Sequence, residues 1–231
     1  SRKAVGQIRG LVPADRARFV PELAHALNDL GVLEGKIGRR DAAVAAAEEA
    51  TALFRDLHTG DVALFRPLLA GALDNLGAAR RKLGRFDVAL AAAEESVAFY
   101  RQVLAFKPEA AQPFIGAALA NRGRVLRDLG RNAEAMASLH EAVVVSRSIA
   151  VRDPGRRADL ADSLRALADL HDDAGHAKKA LDAVDEAIRI WMQLSETEPK
   201  RHRGPLADAL GFPALRFADI DDAESAARLA R

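Results

Sequence analysis

The chain has 231 residues, with 34 Lys and Arg against 33 Asp and Glu, and it contains no cysteine. This near-neutral charge excludes a global attraction to nucleic acid or to an anionic membrane. The lack of cysteine excludes disulfides, thiol nucleophiles and thiolate metal sites, and it fits a reducing compartment. No apolar run approaches the ~20 residues of a membrane span, so we expect a cytoplasmic protein without a membrane partner.

A sequence pattern returns every 46 residues along the chain, as the spacing of Gly31, Gly77 and Gly123 shows. Each of these glycines ends a run of the type ALNDLG, and a second glycine follows each of them seven residues later. A fixed period of this length predicts stacked supersecondary units, each of which buries its apolar face against a neighbour.

The first repeat shows how each unit is built. Leu23 and Leu27 lie on one face of a predicted helix that has Pro21 in its first turn. Gly38 ends that helix, because glycine readily takes the positive φ of a helix terminus. Asp41 is the predicted N-cap of a second helix that runs to about residue 57. Two helices joined by a tight turn form a hairpin.

The period divides the whole chain into six predicted segments. These are the end of a preceding repeat with a linker (1–20), four full repeats (21–66, 67–112, 113–157 and 158–203) and a degenerate or truncated terminal repeat (204–231). The helix pairs predicted in repeats two to four cover 67–83 and 86–105, 113–129 and 132–150, and 158–174 and 177–195. The predicted fold is therefore all-α, a right-handed α-solenoid of stacked antiparallel helix hairpins, with about four full repeats and partial repeats at both ends.

Small residues recur where the two helices of a hairpin must touch, for example at Ala43, Ala89, Ala135 and Ala180. Together with the two glycines of each period, they resemble the tetratricopeptide repeat family. The period of 46 residues exceeds the family's usual ~34, so the chain resembles a long-helix variant. The resemblance covers about 175 residues, from Pro21 to Glu196.

The resemblance implies that the first helices line a concave groove, along which partners lie as extended peptides or inserted helices. The side chains that it places in this groove as partner-binding residues are Asn28, Lys36, Asp74, Asn75, Arg81, Lys82, Asn121, Arg124, Arg127, Asp162, Arg165, Asp169, Asp172 and Asp173.

Charge is distributed unevenly within this predicted groove. Repeats two and three contribute four cations, and repeat four contributes four aspartates. Such a basic stretch followed by an acidic one would orient a partner of opposite charge order and speed its association. The alternative is that these side chains are solvated faces of charged helices.

Asn75 and Asn121 occupy the same position of successive repeats. Some tetratricopeptide proteins use asparagines there to hold a peptide backbone, since an amide both donates and accepts hydrogen bonds. The alternative is that each Asn bonds within its own hairpin.

Other recurring or reactive residues have structural explanations. Tyr100 and Trp191 are predicted core residues, and the recurring glutamates of the second helices are predicted to solvate the outer face. His171 and His176 flank two aspartates, but a polar turn explains this stretch without a metal. No phosphate loop, nucleophile elbow or zinc-helix motif is found, so we predict no catalysis, cofactor or metal.

The sequence therefore predicts a non-catalytic scaffold that binds a protein or peptide, as the sensor or scaffold part of a larger bacterial regulatory protein. Two alternatives stay open. One is self-assembly into a homo-oligomer through the open ends of the solenoid, and the other is nucleic-acid binding through the groove cations.

Overall fold

The structure is a computed structural model that describes residues 2–211, and these residues form helices and no strands. The chain divides into two compact units, Ser1–Arg131 and Asn132–Arg231. The all-α fold of consecutive helical hairpins predicted from the 46-residue period is confirmed.

The first unit contains six helices, and each one packs against the next along the chain. They are α1 (Arg2–Leu11), α2 (Arg16–Lys36), α3 (Arg40–Gly60), α4 (Val62–Lys82), α5 (Phe86–Leu104) and α6 (Pro108–Asp128). In addition, α2 contacts α4 and α4 contacts α6. The first helices of successive repeats therefore lie side by side and form one continuous surface of this unit.

The second unit repeats the same construction over a shorter stretch. Its helices are α7 (Asn132–Arg152), α8 (Arg157–Asp173) and α9 (Ala177–Thr197), with a short 3-10 helix at Pro154–Arg156. Residues 199–211 are also helical. The predicted terminal repeat extends beyond residue 211, and the part near Leu215 lies outside the described residues.

Glycine sets the distance between the two helices of a hairpin. A Cβ at Gly31 would lie 3.2 Å from the carbonyl oxygen of Ala43, and a Cβ at Gly77 would lie 3.2 Å from that of Ala89. Because both neighbours are backbone atoms, they cannot move aside as a flexible side chain would. The prediction that these glycines allow close helix packing is confirmed.

The second glycine of each period ends its helix in the left-handed region, as predicted. Gly38, Gly84, Gly130 and Gly175 have φ values of 79°, 77°, 72° and 72°. In the second repeat, the N–H of Arg85 then donates to the carbonyl of Arg80 at 3.0 Å. This bond spans five residues and satisfies a carbonyl that the helix leaves unpaired.

The first helices begin earlier in the sequence than we predicted from the positions of the prolines. Pro21 and Pro67 lie inside α2 and α4, not in the first turn. The N-caps are Asp15 and Asp61, whose carboxylates accept a hydrogen bond from the backbone of the first turn. The predicted N-cap at Asp41 is wrong, because Asp41 already lies within the first turn of α3.

One cluster in the core of the first unit is made of leucine, alanine and the ring of Phe54. Phe54 and Leu73 are 1% and 2% exposed, and they pack with Leu69 and Leu76 between α3 and α4. In the second unit Trp191 is 3% exposed, which confirms its predicted place in the core.

Ion pairs join the second helix of one repeat to the first helix of the next repeat. Arg2 pairs with the buried Glu34 at 2.8 Å (Nε to Oε1), and Arg80 pairs with Glu48 at 3.0 Å (Nη2 to Oε1). Residues 2 and 48 are one period apart, as are residues 34 and 80. The same contact is therefore made twice in succession, with the two charges exchanged.

Candidate protein-binding surface

The surface formed by α2, α4 and α6 contains a pocket of about 510 Å³, which we call the aromatic pocket. Its polar lining includes Asn28, Asp74 and Asn75, three residues that were predicted to face the groove. The remaining lining residues are His25, Phe54, Pro67, Leu68, Gly71, Tyr100, Ala110, Phe114 and Ala117. The first helices of three successive repeats contribute to it.

Two pairs of rings form the walls of the aromatic pocket. Tyr100 and Phe114 are stacked, with ring centroids 6.1 Å apart and planes at 17°. His25 meets Phe54 edge-on at 5.1 Å. Gly71 leaves the space in front of the Tyr100 hydroxyl open, since a Cβ there would lie 3.2 Å from that oxygen.

Sequence reasoning missed most of these aromatic residues. Tyr100 was predicted as core, and it is 3% exposed as a core residue should be, yet its ring also borders the pocket. Phe114 is 43% exposed and follows the Pro113 of its repeat. Its position directly after the periodic Pro113 was the sequence signal that could have found it.

The asparagines of the groove connect successive first helices. The Nδ2 of Asn75 donates to the Oδ1 of Asn28 at 3.0 Å. One repeat later, the Nδ2 of Asn121 donates to the Oδ1 and the backbone carbonyl of Asp74, at 2.9 and 3.0 Å. The interpretation that these amides bond within their own hairpin is therefore wrong for both Nδ2 groups, because each bonds to the preceding repeat.

Asn75 keeps hydrogen-bonding capacity after making this contact. A side-chain amide has two N–H donors and an acceptor oxygen. Among residues 2–211, Asn28 provides the one side-chain hydrogen bond of Asn75. Its other donor and its acceptor therefore remain for a ligand at the surface that it lines.

Asp74 is the ionisable group at the centre of this site. Burial raises the pKa of its carboxyl above the ordinary value of 3.8, and the hydrogen bond from Asn121 and the charge of Arg124 offset this effect only in part. Desolvation therefore outweighs the compensating interactions. When Asp74 is ionised, its carboxylate therefore carries a negative charge in a desolvated site, and this charge lowers the stability of the fold.

We expect Asp74→Asn to stabilise the protein at neutral pH. Asparagine keeps an oxygen that accepts from Asn121 and removes the desolvated charge. A carboxyl whose pKa is raised on folding contributes stability while protonated, and this stability is lost as the pH rises through the folded pKa. The variant should therefore gain most at neutral pH, and its advantage should vanish below about pH 3.8, the ordinary pKa of an aspartate.

Urea denaturation of both proteins across this pH range measures the difference. Asp29→Asn is a suitable control, since Asp29 is an exposed aspartate one position after Asn28 on α2. An Asp74→Asn variant that is less stable than the parent at neutral pH would contradict the assignment of a desolvated charge.

A second, smaller pocket of about 140 Å³ adjoins the first one between α2 and α4, and we call it the basic pocket. Asn75 lines both pockets. The predicted groove residues Lys36 and Lys82 lie at its edge, and both are exposed. The structure thus places five of the predicted site residues around two adjoining pockets of the first unit.

The other predicted cations of repeats two and three also interact with residues of the fold. The Nη1 of Arg81 pairs with the Oδ2 of Asp128 at 2.8 Å. Arg124 lies near enough to Asp74 to influence its charge, and Arg127 also makes an interaction within the fold. Carboxylates therefore offset part of the predicted basic stretch.

The predicted acidic residues lie on α8 of the second unit. The Nε of Arg165 pairs with the Oδ1 of Asp169 at 3.0 Å, and its Nη1 donates to the backbone carbonyl of Asp208 at 3.0 Å. Asp162, Asp172 and Asp173 also belong to α8, and each of them interacts with another residue. Their role as a groove charge that binds a partner stays a prediction.

A group of histidines lies at the end of α8. The ring of His171 is 5.9 Å from that of His140 and 5.8 Å from that of His176. Burial lowers the pKa of His171, and the charges of His140, Lys179 and His176 lower it further. Within residues 2–211 no group of three or more ligand side chains has the geometry of a metal site.

A series of Arg–Glu ion pairs runs along the second helices. Glu49 pairs with Arg9 at 2.6 Å, and one period later Glu95 pairs with Arg55 at 2.6 Å. In the second unit Glu186 pairs with Arg147 at 2.7 Å. These glutamates were predicted only to solvate the outer face, but each one also connects two successive second helices.

Tandem hairpins with a continuous surface of first helices define an α-helical repeat protein. The model of the family described as "Tetratricopeptide repeat" matches residues 69–107 and 116–153. The model described as "Anaphase-promoting complex subunit 5" matches residues 14–66 and 154–198. No match was found among curated proteins.

Solved structures share this fold at low sequence identity. A putative kinesin light chain from Podosopora anserina, with nearly identical TPR-like repeats, aligns with a TM-score of 0.56 and 19% identity over 86% of this chain and 88% of its own. The crystal structure of MamA aligns with a TM-score of 0.51 and 15% identity over 84% of this chain and 90% of its own. The chain is thus a helical repeat protein, and its residues 69–107 and 116–153 match the tetratricopeptide family that the sequence pattern resembles.

Proteins of this type generally mediate protein–protein interactions and are generally non-catalytic scaffolds. Among the helices between residues 2 and 211, none combines the length and the apolarity needed to cross a membrane.

Proposed function

We propose that the first unit is a non-catalytic scaffold that binds a segment of a partner protein on the surface formed by α2, α4 and α6. The observation that carries this proposal is the aromatic pocket, which combines apolar ring walls with a few polar groups. Most ligand sites in proteins have this composition, because apolar walls supply affinity and a few polar groups fix orientation.

The mode of binding follows from the groups that line the surface. A side chain of the partner enters the aromatic pocket, where it is enclosed by the rings of Phe54, Tyr100 and Phe114. The remaining donor and acceptor of Asn75 bond to the partner's backbone beside it. Main-chain contacts of this kind are independent of the partner's sequence, so the pocket provides most of the specificity.

The origin and location of the chain belong to the same proposal. We assign it to the sensor or scaffold part of a larger bacterial regulatory protein in the cytoplasm. The lack of cysteine supports a reducing compartment, and the abundance of alanine and arginine supports the bacterial assignment. The sequence that flanks this chain in the complete gene product tests both points.

Filling the aromatic pocket should abolish peptide binding without unfolding the protein. Ala117 on α6 is partly exposed and lines the pocket, so Ala117→Phe places a ring where the partner's side chain would lie. Peptides selected from a random library against the unmodified chain provide the probe, and fluorescence anisotropy measures their dissociation constants. We expect a loss of at least about 10-fold in affinity, which corresponds to ~1.4 kcal/mol.

Ala98→Phe is the matched control, since Ala98 is an exposed alanine of α5 that lines neither the aromatic nor the basic pocket. It should bind the selected peptides as the unmodified chain does. Equal binding by Ala117→Phe would overturn the proposal. A molar mass that rises with concentration in light scattering would favour homo-oligomerisation instead, and strongly salt-dependent binding of arbitrary RNA would favour a nucleic-acid function.

A further inference from the structure

The charges around the two adjoining pockets differ in sign. Asp74 is the one carboxylate among the described residues that line the aromatic pocket, and no lysine or arginine is among them. The basic pocket has the opposite character, with Lys36 and Lys82 and no carboxylate among its described lining residues. A partner segment that crosses both pockets therefore meets a negative site and then a positive one.

The fold satisfies the carboxylate of Asp74 only in part. Within residues 2–211 the carboxylate of Asp74 accepts a hydrogen bond from the amide of Asn121 alone, at its Oδ1 atom, and the same amide also donates to the backbone carbonyl of Asp74. The Oδ2 atom therefore has no described donor. Because the hydrogen bond from Asn121 and the charge of Arg124 compensate the carboxylate only in part, a cation that arrived with a partner would add to the compensation that the fold supplies.

The walls of the aromatic pocket suit the same kind of group. Aromatic faces attract a positive charge, and they also accommodate the aliphatic stem of a long cationic side chain. Phe54, Tyr100 and Phe114 line this pocket together with Asp74. Rings around a single carboxylate are the composition expected of a site for an ammonium or guanidinium group.

The separation of the two pockets sets the spacing of the charges that they would bind. Lys82 follows Asp74 by eight residues on α4, and Lys36 follows Asn28 by eight residues on α2. At a rise of ~1.5 Å per residue this is about 12 Å along each helix. An extended peptide covers that distance with about four residues, at ~3.3 Å each.

We propose that the partner segment carries a lysine or arginine that enters the aromatic pocket against Asp74, and an aspartate or glutamate about four residues away that pairs with Lys36 and Lys82. This inference rests on the proposed function and adds the chemical class of the partner. Charge complementarity across both pockets also fixes the direction of the bound segment, since the reversed segment would bring like charges together.

Synthetic peptides with one fixed anchor position test the first half of the proposal. The anchor is lysine, arginine or norleucine, which has the length of lysine without its charge, and the flanking positions are randomised equally. We expect the lysine and arginine pools to bind the unmodified chain at least about 10-fold more tightly than the norleucine pool. With Asp74→Asn this preference should disappear, so that the lysine, arginine and norleucine pools bind the variant with similar affinities.

Exchanging the charges of the protein and the peptide tests the second half of the proposal, the pairing of an acidic peptide residue with Lys36 and Lys82. A glutamate four residues from the anchor should improve binding over glutamine, and Lys36→Glu with Lys82→Glu should reverse this order. Replacing the peptide's glutamate by lysine should then restore affinity to the double variant. A glutamate at two residues or at eight should give no improvement, because it would not reach the lysines.

The outcomes separate this inference from the proposed function. Binding of norleucine as tight as that of lysine, together with sensitivity to Ala117→Phe, would overturn the inference and leave the peptide-binding function standing. A lysine preference that persists in Asp74→Asn would also overturn it. If no pool binds the unmodified chain, and circular dichroism shows that this chain is folded, both the inference and the proposed function are overturned.

Discussion

Replacing Gly77 by leucine is expected to lower the free energy of unfolding by about 3 kcal/mol, and replacing it by alanine by about 1 kcal/mol. Alanine at a helical glycine usually stabilises, because glycine has the greater conformational freedom in the unfolded chain. At Gly77 the sign is reversed. The new Cβ would lie 3.2 Å from the carbonyl oxygen of Ala89 and 3.4 Å from the backbone nitrogen of Ala93, so α4 and α5 must separate.

Urea denaturation followed by circular dichroism measures this effect, with Gly6→Ala as the matched control. Gly6 lies in the middle of α1, and no atom lies within 4 Å of the Cβ that it would gain. This control should raise the free energy of unfolding by up to about 1 kcal/mol. A stabilising Gly77→Ala would mean that the two helices can separate at no cost, which would contradict close helix packing as the reason for this glycine.

Truncating Leu73 to alanine is expected to lower the free energy of unfolding by about 3 kcal/mol. Leu73 is 2% exposed in the cluster that also contains Phe54 and Leu69. The loss combines the transfer energy of the removed methyl groups with the cost of the cavity that they leave. Because Phe54 also lines the aromatic pocket, peptide affinity should fall together with stability.

Leu64→Ala provides the comparison on the same helix, since Leu64 of α4 is 57% exposed. It should change the free energy of unfolding by less than about 0.5 kcal/mol. Equal effects of the two truncations would show that the cluster around Leu73 is not the core of the first unit.

The sequence predicts those features of the fold that recur with its period. The spacing of Gly31 and Gly77 fixes where the helices of a hairpin meet, and Gly38 and Gly84 fix where the first helices end. These positions are strongly determined, because a Cβ would clash at the first pair and a positive φ is required at the second. The repeat boundaries in the predicted domain division stay a prediction.

The helix starts were predicted less well than the helix ends. Proline is common in the first turn, so Pro21 and Pro67 suggested that the helices begin there. Instead, the side chains of Asp15 and Asp61 cap helices that begin five residues before those prolines. A capping aspartate and a helical proline compete as start signals, and sequence position alone does not decide between them.

The candidate site could be predicted only in part, because its lining comes from residues far apart in sequence. Asn28 and Asp74 were found because the family resemblance places their repeat position in the groove, and Asn75 was found because Asn121 recurs one period later. The walls of the aromatic pocket combine Phe54 from α3 with Tyr100 from α5 and Phe114 from α6. Their meeting depends on how three repeats stack, and a repeat position considered by itself carries no such information.

The exchanged ion pairs between repeats have a consequence for the order of the array. Deleting residues 3–48, one period, would remove α2 and join Arg2 directly to Glu49, so that Arg2 takes the position of Glu48 in the shortened α3. Arg2 would then face Arg80, and two guanidinium groups would meet where the protein now has an arginine and a glutamate. The modules of this chain are therefore not interchangeable, and any shuffled or shortened version must restore opposite charges at each joint.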